Sequence, residues 1–357
     1  MRPPLPEILY NLVLVHVVIL GLVQLRQVPS GTTCVVGLAM TAAAACLFAA
    51  LGAFLGGLGL FGALGLLAWG VFVHLPLQLT AAAFCLRAQR PRSASASFLL
   101  GLGVIAVGAD AFLLEPGRLQ VTRHEIMSRS ATAPLRIAVL ADIQTDEVGE
   151  HERRAVAMAV AEQPDLILLP GDYIQLTDPQ RAAVERRKLR EVFIEEGLTA
   201  PLGVFAVGGN TDDPRWTEIF DGLDAQVATE QRDFQTGGVT ITCLPYERSC
   251  APDVLVKPTD GFHVVLGHSP DFALGAVDAD LLIAGHCHGG QVRLPGIGPL
   301  FILARIPREW ASGASVVRAH TTLVVSRGIG LERGRAPRLR FLCPPEVVII
   351  DVVPAID

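Results

Sequence analysis

The longest uncharged segment of this sequence constrains its fold more than any other feature. From Gln27 to Leu86 there is no Asp, Glu, Lys or Arg. The whole chain contains 29 basic and 35 acidic residues, yet only eight of them lie within residues 1–117. Soluble domains carry about a quarter charged residues along their length. The sequence therefore predicts a membrane region over 1–117 that is followed by a soluble domain.

Four segments of this region are candidates for membrane-spanning helices, which need about 20 mostly apolar residues. They are Leu9–Leu25, Thr33–Leu55, Leu60–Leu86 and Phe98–Leu114. A cleaved signal peptide would explain only the first of them. We expect a multi-pass protein of the inner or plasma membrane, with the lipid bilayer as its partner. The flanking arginines divide four to four between the two faces, so the positive-inside rule assigns no side to the soluble domain.

Charge and cysteine content exclude two classes of protein. The formal net charge is −6, and no basic stripe is present that would neutralise phosphates, so we expect no nucleic-acid partner. The seven cysteines are irregularly spaced and match neither a disulfide framework nor a zinc finger. Neither feature sets the oligomeric state.

The soluble half alternates short apolar runs with polar, helix-like segments. The helix-like segments are His151–Gln163, Asp178–Glu196 and Pro214–Leu223. The predicted strands are Leu135–Leu140, Asp165–Leu169, Val204–Val207, Val239–Cys243, His263–Leu266, Leu281–Ala284, Thr321–Val325, Leu339–Leu342 and Val347–Val352. Alternation that gives way to strands alone favours a layered α/β sandwich over a simple doubly wound sheet. We place this domain at 135–357, joined to the membrane region by a linker at 118–134.

Residue types that bind metals follow five of the predicted strands, at the carboxyl ends where α/β sheets hold their sites. The five clusters are Ala141–Gln144, Pro170–Tyr173, Gly208–Asp212, Gly267–Pro270 and Gly285–Gly290. A single Asp or Asn after a strand is commonly a turn former or a helix cap. The two histidines of the last cluster are flanked by glycines, which lets a bent backbone aim both rings at one point. Five clusters in series therefore favour a metal site.

These clusters resemble the motifs of the calcineurin-like metallophosphoesterase superfamily, which are D-x-H, G-D-x-x-D, G-N-H-D/E, an isolated His and G-H-x-H. The likeness covers the chain from about Leu135 onward. Three later segments, Gly285–Pro295, Val325–Gly330 and Leu339–Glu346, look like the bacterial membrane-associated branch, which includes enzymes that cleave UDP-2,3-diacylglucosamine. The resemblance implies an αββα sandwich and two divalent metal ions.

Carried over by position, the resemblance implies the ligands of both ions. Asp172 is similar to the carboxylate that bridges them. The first ion would be completed by Asp142, Gln144 and His288, and the second by Asn210, His268 and His286. Asp172, Asn210 and His286 would also take part in catalysis. Mixed nitrogen and oxygen ligation without thiolates suits Mn, Fe, Zn or Mg.

Three departures from the family pattern bear on the chemistry. Gln144 stands where the family has the His of D-x-H, so an amide oxygen replaces an imidazole. Thr211 stands where the family has the His that protonates the leaving group. Gln175 replaces the second Asp of G-D-x-x-D. Loss of the general acid costs about 10²–10⁴ in rate for a poor leaving group and much less for an acidic one, such as a phosphate in a pyrophosphate.

The sequence therefore predicts a membrane-anchored, metal-dependent phosphoesterase. Its substrate would be a phosphodiester or a pyrophosphate, plausible forms being a small phosphoester, a lipid or a lipid-linked molecule. Two alternatives stay open. One is a degenerate metal-binding module without turnover, since Gln144 and Thr211 replace histidines. The other is a regulatory domain of a membrane protein whose function lies in the spans.

Overall fold

A computed structural model of the chain describes residues 5–27 and 31–355. The described residues divide into two compact units. The first contains the residues up to Leu113 together with Gly334–Arg338, and the second contains Leu114–Arg333 and the residues from Leu339 onward. The predicted regions 1–117 and 135–357 also include residues 1–4, 28–30, 356 and 357, which lie outside the described residues.

The N-terminal unit is helical. Its helices are α1 (Leu5–Gln27), α2 (Gly31–Leu55), α3 (Gly59–Trp69), α4 (Leu75–Leu86) and α5 (Pro91–Ala109), and π-helical turns at Gly70–His74 and Asp110–Leu114 follow α3 and α5. Within the described residues, three stretches are long and apolar enough to cross a membrane, namely Leu5–Val23, Gly59–Leu86 and Pro91–Gly117. The predicted span Thr33–Leu55 lies in α2, where the apolar stretch among the described residues is Ala43–Ala53. The count of four spans stays a prediction.

Polar side chains of this unit find partners inside it. His74 Nε2 lies 2.7 Å from Asn11 Oδ1, and the Gln78 amide donates to Thr41 Oγ1 over 2.9 Å. Leu14 and Leu66 pack in the apolar core between the helices. Such internal pairs satisfy polar side chains that are buried among apolar helices.

The C-terminal unit combines strands with a few helices. Its strands are β1 (Gln120–Ser128), β2 (Leu135–Val139), β3 (Leu166–Leu169), β4 (Val204–Val207), β5 (Ala225–Ala228), β6 (Arg232–Thr236), β7 (Val239–Cys243), β8 (Leu255–Val256), β9 (Phe262–Leu266), β10 (Ala276–Val277), β11 (Leu281–Ala284), β12 (Arg293–Leu294), β13 (Gly298–Pro299), β14 (Gly313–Arg318), β15 (Thr321–Val325) and β16 (Glu346–Pro354). Its α-helices are α6 (Glu150–Ala161), α7 (Pro179–Glu195) and the short α8 (Tyr246–Ser249).

Two mixed, six-stranded sheets dominate the described part of this unit. The first has the order β1-β16-β2-β3-β4-β5 and the second the order β14-β15-β11-β9-β7-β6. Strands β2 to β5 are parallel to one another, as are β7, β9, β11 and β15. Parallel strands place their carboxyl ends along one edge, where the predicted site clusters begin.

The sheets pack face to face, which is visible in the apolar core they share. Ile137 and Leu168 of the first sheet belong to the same buried cluster as Val264 and Ile283 of the second. The other face of the first sheet is covered by α6 and α7, through residues such as Val156. The C-terminal unit is therefore a mixed α/β domain, as the alternation of strand and helix patterns predicts.

Predicted strands coincide with β4, β7, β11 and β15, whereas two other predictions were wrong. Leu339–Leu342 is not a strand: Phe341 makes a single bridge to Val292, and the Arg340 side chain turns inward. Pro214–Leu223 contains only a short 3₁₀ helix, Trp216–Phe220. In addition, the predicted linker contains β1, whose alternating exposed and half-buried side chains suit the edge position it takes.

Candidate metal centre

The carboxyl ends of five strands from both sheets supply the predicted site residues. Asp142 and Gln144 follow β2, Asp172 follows β3, Asn210 follows β4, His268 follows β9, and His286 and His288 follow β11. They span almost 150 residues of sequence, so only the packing of the two sheets can bring them together. The structure groups Asp142, Asp172 and His268 in one cluster. The other four residues lie beside this cluster, as the following contacts describe.

Asp142, Asp172 and His268 form the centre of the site. Their ligand atoms lie within 4.8 Å of one another, and each side chain is almost completely buried. His268 Nδ1 lies 3.8 Å from Asp142 Oδ1, and its Nε2 lies 3.4 Å from Asp172 Oδ2. Among the residues that the structure describes, this is the one such cluster of three acidic, His or Cys side chains.

Asn210 and His286 form the open side of the site. Asn210, which is exposed, has its Oδ1 3.0 Å from His268 Nε2, and the rings of His268 and His286 are 5.0 Å apart. His268 Nδ1 donates to the Pro170 carbonyl over 2.9 Å, and His286 Nε2 donates to the Leu303 carbonyl over 3.0 Å. A backbone partner on one ring nitrogen orients the other toward a ligand, which is common for metal-binding histidines.

Gln144 and His288 form the closed side of the site, and each has a buried polar atom without a hydrogen-bond partner. These atoms are Gln144 Oε1 and His288 Nδ1. Both residues lie beside the central acids: Gln144 N donates to the Asp172 carbonyl over 2.8 Å. A Cβ atom at Gly328 would lie 2.7 Å from Asp142 Cβ and 3.2 Å from His288 Nδ1. Buried polar atoms are rarely unpaired without a functional reason.

Backbone strain is concentrated at the same residues. Among the residues that the structure describes, eight other than glycine have positive φ, and five of them belong to the predicted site: Asp142, Gln144, Asp172, His286 and His288. Their φ values lie between 34° and 67°. This left-handed conformation is unfavourable for residues with a Cβ, and it persists where the surrounding structure enforces it, typically at functional sites.

A close backbone contact between two of the strand-end loops fixes the position of Asp172. A Cβ at Gly209 would lie 2.6 Å from the Asp172 backbone nitrogen and nearer still to its Oδ1. Thr211 N donates to the same Oδ1 over 2.8 Å. Only glycine therefore fits at residue 209, and the loop after β4 holds the Asp172 carboxylate directly.

Burial and mutual interaction shift the pKa values of the three central residues. Burial, opposed by the charge of His268, raises the pKa of Asp142 to about 7. Burial would lower the pKa of His268, but the Asp172 carboxylate outweighs it and raises the pKa to about 9. Burial would likewise raise the pKa of Asp172, but the charge of His268 lowers it to about 2. His268 is therefore the partner that compensates the Asp172 carboxylate.

Two supporting residues were missed by the sequence interpretation. The Asp212 carboxylate accepts the backbone N–H groups of Asp172, Tyr173 and Gly209 over 2.8–2.9 Å. Arg340, fully buried, donates to the carbonyls of Arg327, Gly328 and Gly330, the segment that packs on Asp142. Asp212 ends the third predicted cluster, which was a signal. Arg340 lies in a segment with the pattern of a strand, so no sequence signal indicated its role.

The donor set fits one or more divalent cations. It consists of carboxylate and amide oxygens and imidazole nitrogens, a set that suits Mn, Fe, Zn or Mg. The nearby thiol of Cys287 is buried, and burial raises its pKa, which disfavours the thiolate that would bind a metal. A cation would also give partners to the unpaired atoms of Gln144 and His288.

Comparison with known proteins identifies the fold and the chemistry. The sequence profile described as "Calcineurin-like phosphoesterase" matches residues 135–290. "Uncharacterized metallophosphoesterase YkuE" of Bacillus subtilis is 30% identical over 284 residues, which cover 71% of this chain and 95% of that protein. The chain belongs to the calcineurin-like phosphoesterase family. "Phosphodiesterase YaeI" of Escherichia coli is 29% identical over 259 residues, which cover 67% of this chain and 90% of the relative.

Membership makes this calcineurin-like phosphoesterase a metal-dependent phosphoester hydrolase, as the strand-end clusters predict. The family binds divalent metals, and the buried group of Asp142, Asp172 and His268 is where such an ion fits. The matched segment begins at β2 and ends just after His288, so it contains all seven predicted site residues.

Proposed function

We propose that this enzyme hydrolyses a phosphodiester or pyrophosphate bond with an acidic leaving group, in a lipid or lipid-linked substrate beside the membrane. The observation that carries the proposal is the loop at Asn210 and Thr211. There Thr211 replaces the family histidine, and its backbone N–H is bonded to Asp172 Oδ1. A threonine hydroxyl is too weak an acid to protonate an alkoxide at neutral pH. The leaving group of the substrate must therefore depart as a stable anion.

Two ions would be held by the residues that the structure brings together. Asp172 lies centrally and would be shared. Asp142, Gln144 and His288 on the closed side would hold one ion, and Asn210, His268 and His286 on the open side would hold the other. Divalent ions at this place supply the charge that stabilises a transferring phosphoryl group and lower the pKa of an attacking water.

The protein's own residues orient and restrict the reaction. The bonds of His268 to Pro170 and of His286 to Leu303 fix both rings before substrate arrives. Asn210 and His286 are the more exposed site residues, so the scissile phosphate would approach from their side. Catalysis would then depend on positioning and charge stabilisation rather than on proton donation to the leaving group.

A lipid portion of the substrate is supported by an apolar surface on the loop that contacts His286. Ile297, Phe301 and Leu303 are 60%, 54% and 47% exposed. The Leu303 carbonyl is the hydrogen-bond partner of His286 Nε2, so this surface borders the site. Exposed Arg305 lies two residues after Leu303. Exposed apolar side chains on a loop that contacts a polar site suit a substrate with an acyl chain on a charged head group.

The test uses the purified full chain in detergent with Mn²⁺. We expect hydrolysis of bis(p-nitrophenyl) phosphate to exceed that of alkyl monoesters at least tenfold. A diacylated nucleoside-diphosphate sugar should be cleaved at least tenfold faster, in kcat/KM, than the same compound without acyl chains. The triple change Ile297→Ser, Phe301→Ser and Leu303→Ser should remove the second preference, whereas Val316→Ser, also a change of an exposed apolar residue, should not.

Other results would contradict the proposal. Equal rates on acylated and unacylated compounds would exclude a lipid substrate. No hydrolysis of any phosphoester at saturating Mn²⁺, with at most one ion bound, would favour the degenerate binding module that Gln144 and Thr211 otherwise suggest.

A further inference from the structure

Three side chains behind the site form a closed hydrogen-bond network around Gln144. The Gln144 amide nitrogen donates to Gln175 Oε1 and to Glu332 Oε2, each over 3.1 Å. Gln175 Nε2 donates to Glu332 Oε1 over 2.7 Å. Glu332 is only 9% exposed, so its carboxylate is largely dedicated to these two amides.

The network fixes the orientation of the Gln144 amide. Both hydrogens of Gln144 Nε2 are used by the two acceptors, whereas Gln144 Oε1 is buried and unpaired. A rotation of the amide by 180° would place Oε1 against the Glu332 carboxylate, where two acceptors repel. Gln175 cannot rotate to relieve this, because its Oε1 also accepts the backbone N–H of Arg333 over 2.7 Å.

We propose that Glu332 and Gln175 are positioning residues that turn the Gln144 amide oxygen toward a divalent cation and make it a better ligand. The inference rests on the metal ligands named under the proposed function. A neutral amide is a weaker donor than imidazole, and a carboxylate that accepts its N–H bonds polarises it toward a more negative oxygen. Carboxylates support metal-binding histidines in the same way. Glu332 would thus orient and polarise an amide ligand as such a carboxylate orients and polarises an imidazole ligand.

The network also gives two of the three departures, Gln144 and Gln175, a common explanation. Gln175 stands where the family has a second Asp, and Gln144 where it has a His. An Asp at residue 175 could accept from Gln144 but could not donate to Glu332, and two adjacent buried carboxylates would repel. Glutamine at both positions is the combination that satisfies the Glu332 carboxylate.

A Mn²⁺-binding experiment on the full chain in detergent tests this without relying on turnover. Free Mn²⁺ is followed by electron paramagnetic resonance in the wild type and in Glu332→Ala, Glu332→Gln, Gln144→Ala and the double variant Gln144→Ala/Glu332→Ala. We expect Glu332→Ala to lower the affinity for one of the two Mn²⁺ ions about 10- to 100-fold. Glu332→Gln keeps the shape of the side chain and replaces the alanine variant if that variant does not fold. It should also lower the affinity for the same ion.

The double variant separates positioning from simple packing. If Glu332 acts through Gln144, the double variant binds Mn²⁺ no more weakly than Gln144→Ala alone. Glu185→Ala is the matched control, since Glu185 is another buried carboxylate, which accepts the Val148 backbone N–H away from the site, and it should leave both affinities unchanged.

Three outcomes overturn the inference. The first is wild-type Mn²⁺ affinity in both Glu332 variants, and the second is an equal loss on Glu332→Ala with and without Gln144. The third is a wild-type chain that binds no Mn²⁺, which contradicts the proposed function as well. Coupled losses of Mn²⁺ in a chain that hydrolyses no phosphoester would support the inference and contradict only the proposed function.

Discussion

The backbone N–H of His286 donates to the Asp142 carboxylate, with its nitrogen 2.9 Å from Oδ1 and 3.0 Å from Oδ2. Asp142 follows β2 of the first sheet, and His286 follows β11 of the second, 144 residues later. The bond therefore joins the two sheets at the site itself. Because the ligand positions depend on this packing, changes of a ligand and changes of the backbone beside it should both reduce metal binding, with different effects on stability.

Asp172→Asn should abolish hydrolysis and lower the metal content. The amide keeps the shape and one acceptor for the Thr211 N–H, but it removes the charge that two ions would share. Removal of a metal ligand lowers metal affinity more than removal of a residue that supports a ligand. We therefore expect metal affinity to fall more than about 100-fold. Metal analysis and kcat/KM on bis(p-nitrophenyl) phosphate measure both effects. Asp178→Asn, a change at the N-cap of α7 where Asn is equally suitable, is the control.

Gly209→Ala should act on Asp172 through sterics alone. The φ of Gly209 is not in the left-handed region, so alanine adds no backbone strain, but its Cβ would lie 2.6 Å from Asp172 N. Relief of this overlap must move Asp172 or the loop after β4, at a cost of about 1–3 kcal/mol in the free energy of unfolding. Gly117→Ala, with no heavy atom within 4 Å of its Cβ, should leave activity and stability unchanged. Full activity of Gly209→Ala would show that the loop adapts without cost.

The sequence predicts the buried inner strands of both sheets better than it predicts the edge strands. Buried parallel strands read as apolar runs, and a ligand-type residue directly after such a run marks the sheet edge, which is why Asp142, Asp172 and His286 were recognisable. Edge strand β1 mixes polar and apolar residues and was assigned to the linker.

Contacts between distant segments leave no local signal. Glu332 lies 188 residues from Gln144 and 157 from Gln175, just outside the family-like segment Val325–Gly330. Arg340 lies between apolar residues in a segment with the pattern of a strand, whereas its guanidinium donates to backbone carbonyls. Both roles follow from tertiary packing, which the order of residues along the chain does not encode in any short window.

Removal of metal should lower the thermal stability of the C-terminal domain. Without a cation, the carboxylates of Asp142 and Asp172 are buried close together with His268 as their main compensation. A ligand at 100 times its Kd stabilises the folded state by about 2.7 kcal/mol, which corresponds to roughly 5–10 °C in Tm for a domain of this size. The fluorescence of Trp216, which stacks on Tyr173 beside the site, reports the transition with EDTA and after Mn²⁺ is added back. Asp172→Asn should show little or no shift, and an equal shift in that variant would place the stabilising ion elsewhere.

Thr211→His should broaden the range of leaving groups. The Thr211 side chain has a buried hydroxyl without a partner, on a loop whose backbone N–H already bonds Asp172. An imidazole there could protonate a departing alkoxide, a contribution of about 10²–10⁴ in rate for poor leaving groups. We therefore expect hydrolysis of alkyl monoesters to rise at least tenfold, while that of bis(p-nitrophenyl) phosphate changes little because p-nitrophenolate leaves without a proton. Thr211→Val, which has a similar shape and no proton to give, should leave both rates near those of the wild type. A gain of equal size on both substrates would mean that the histidine acts on metal binding or phosphate binding, and that leaving-group acidity is not what threonine at this position selects.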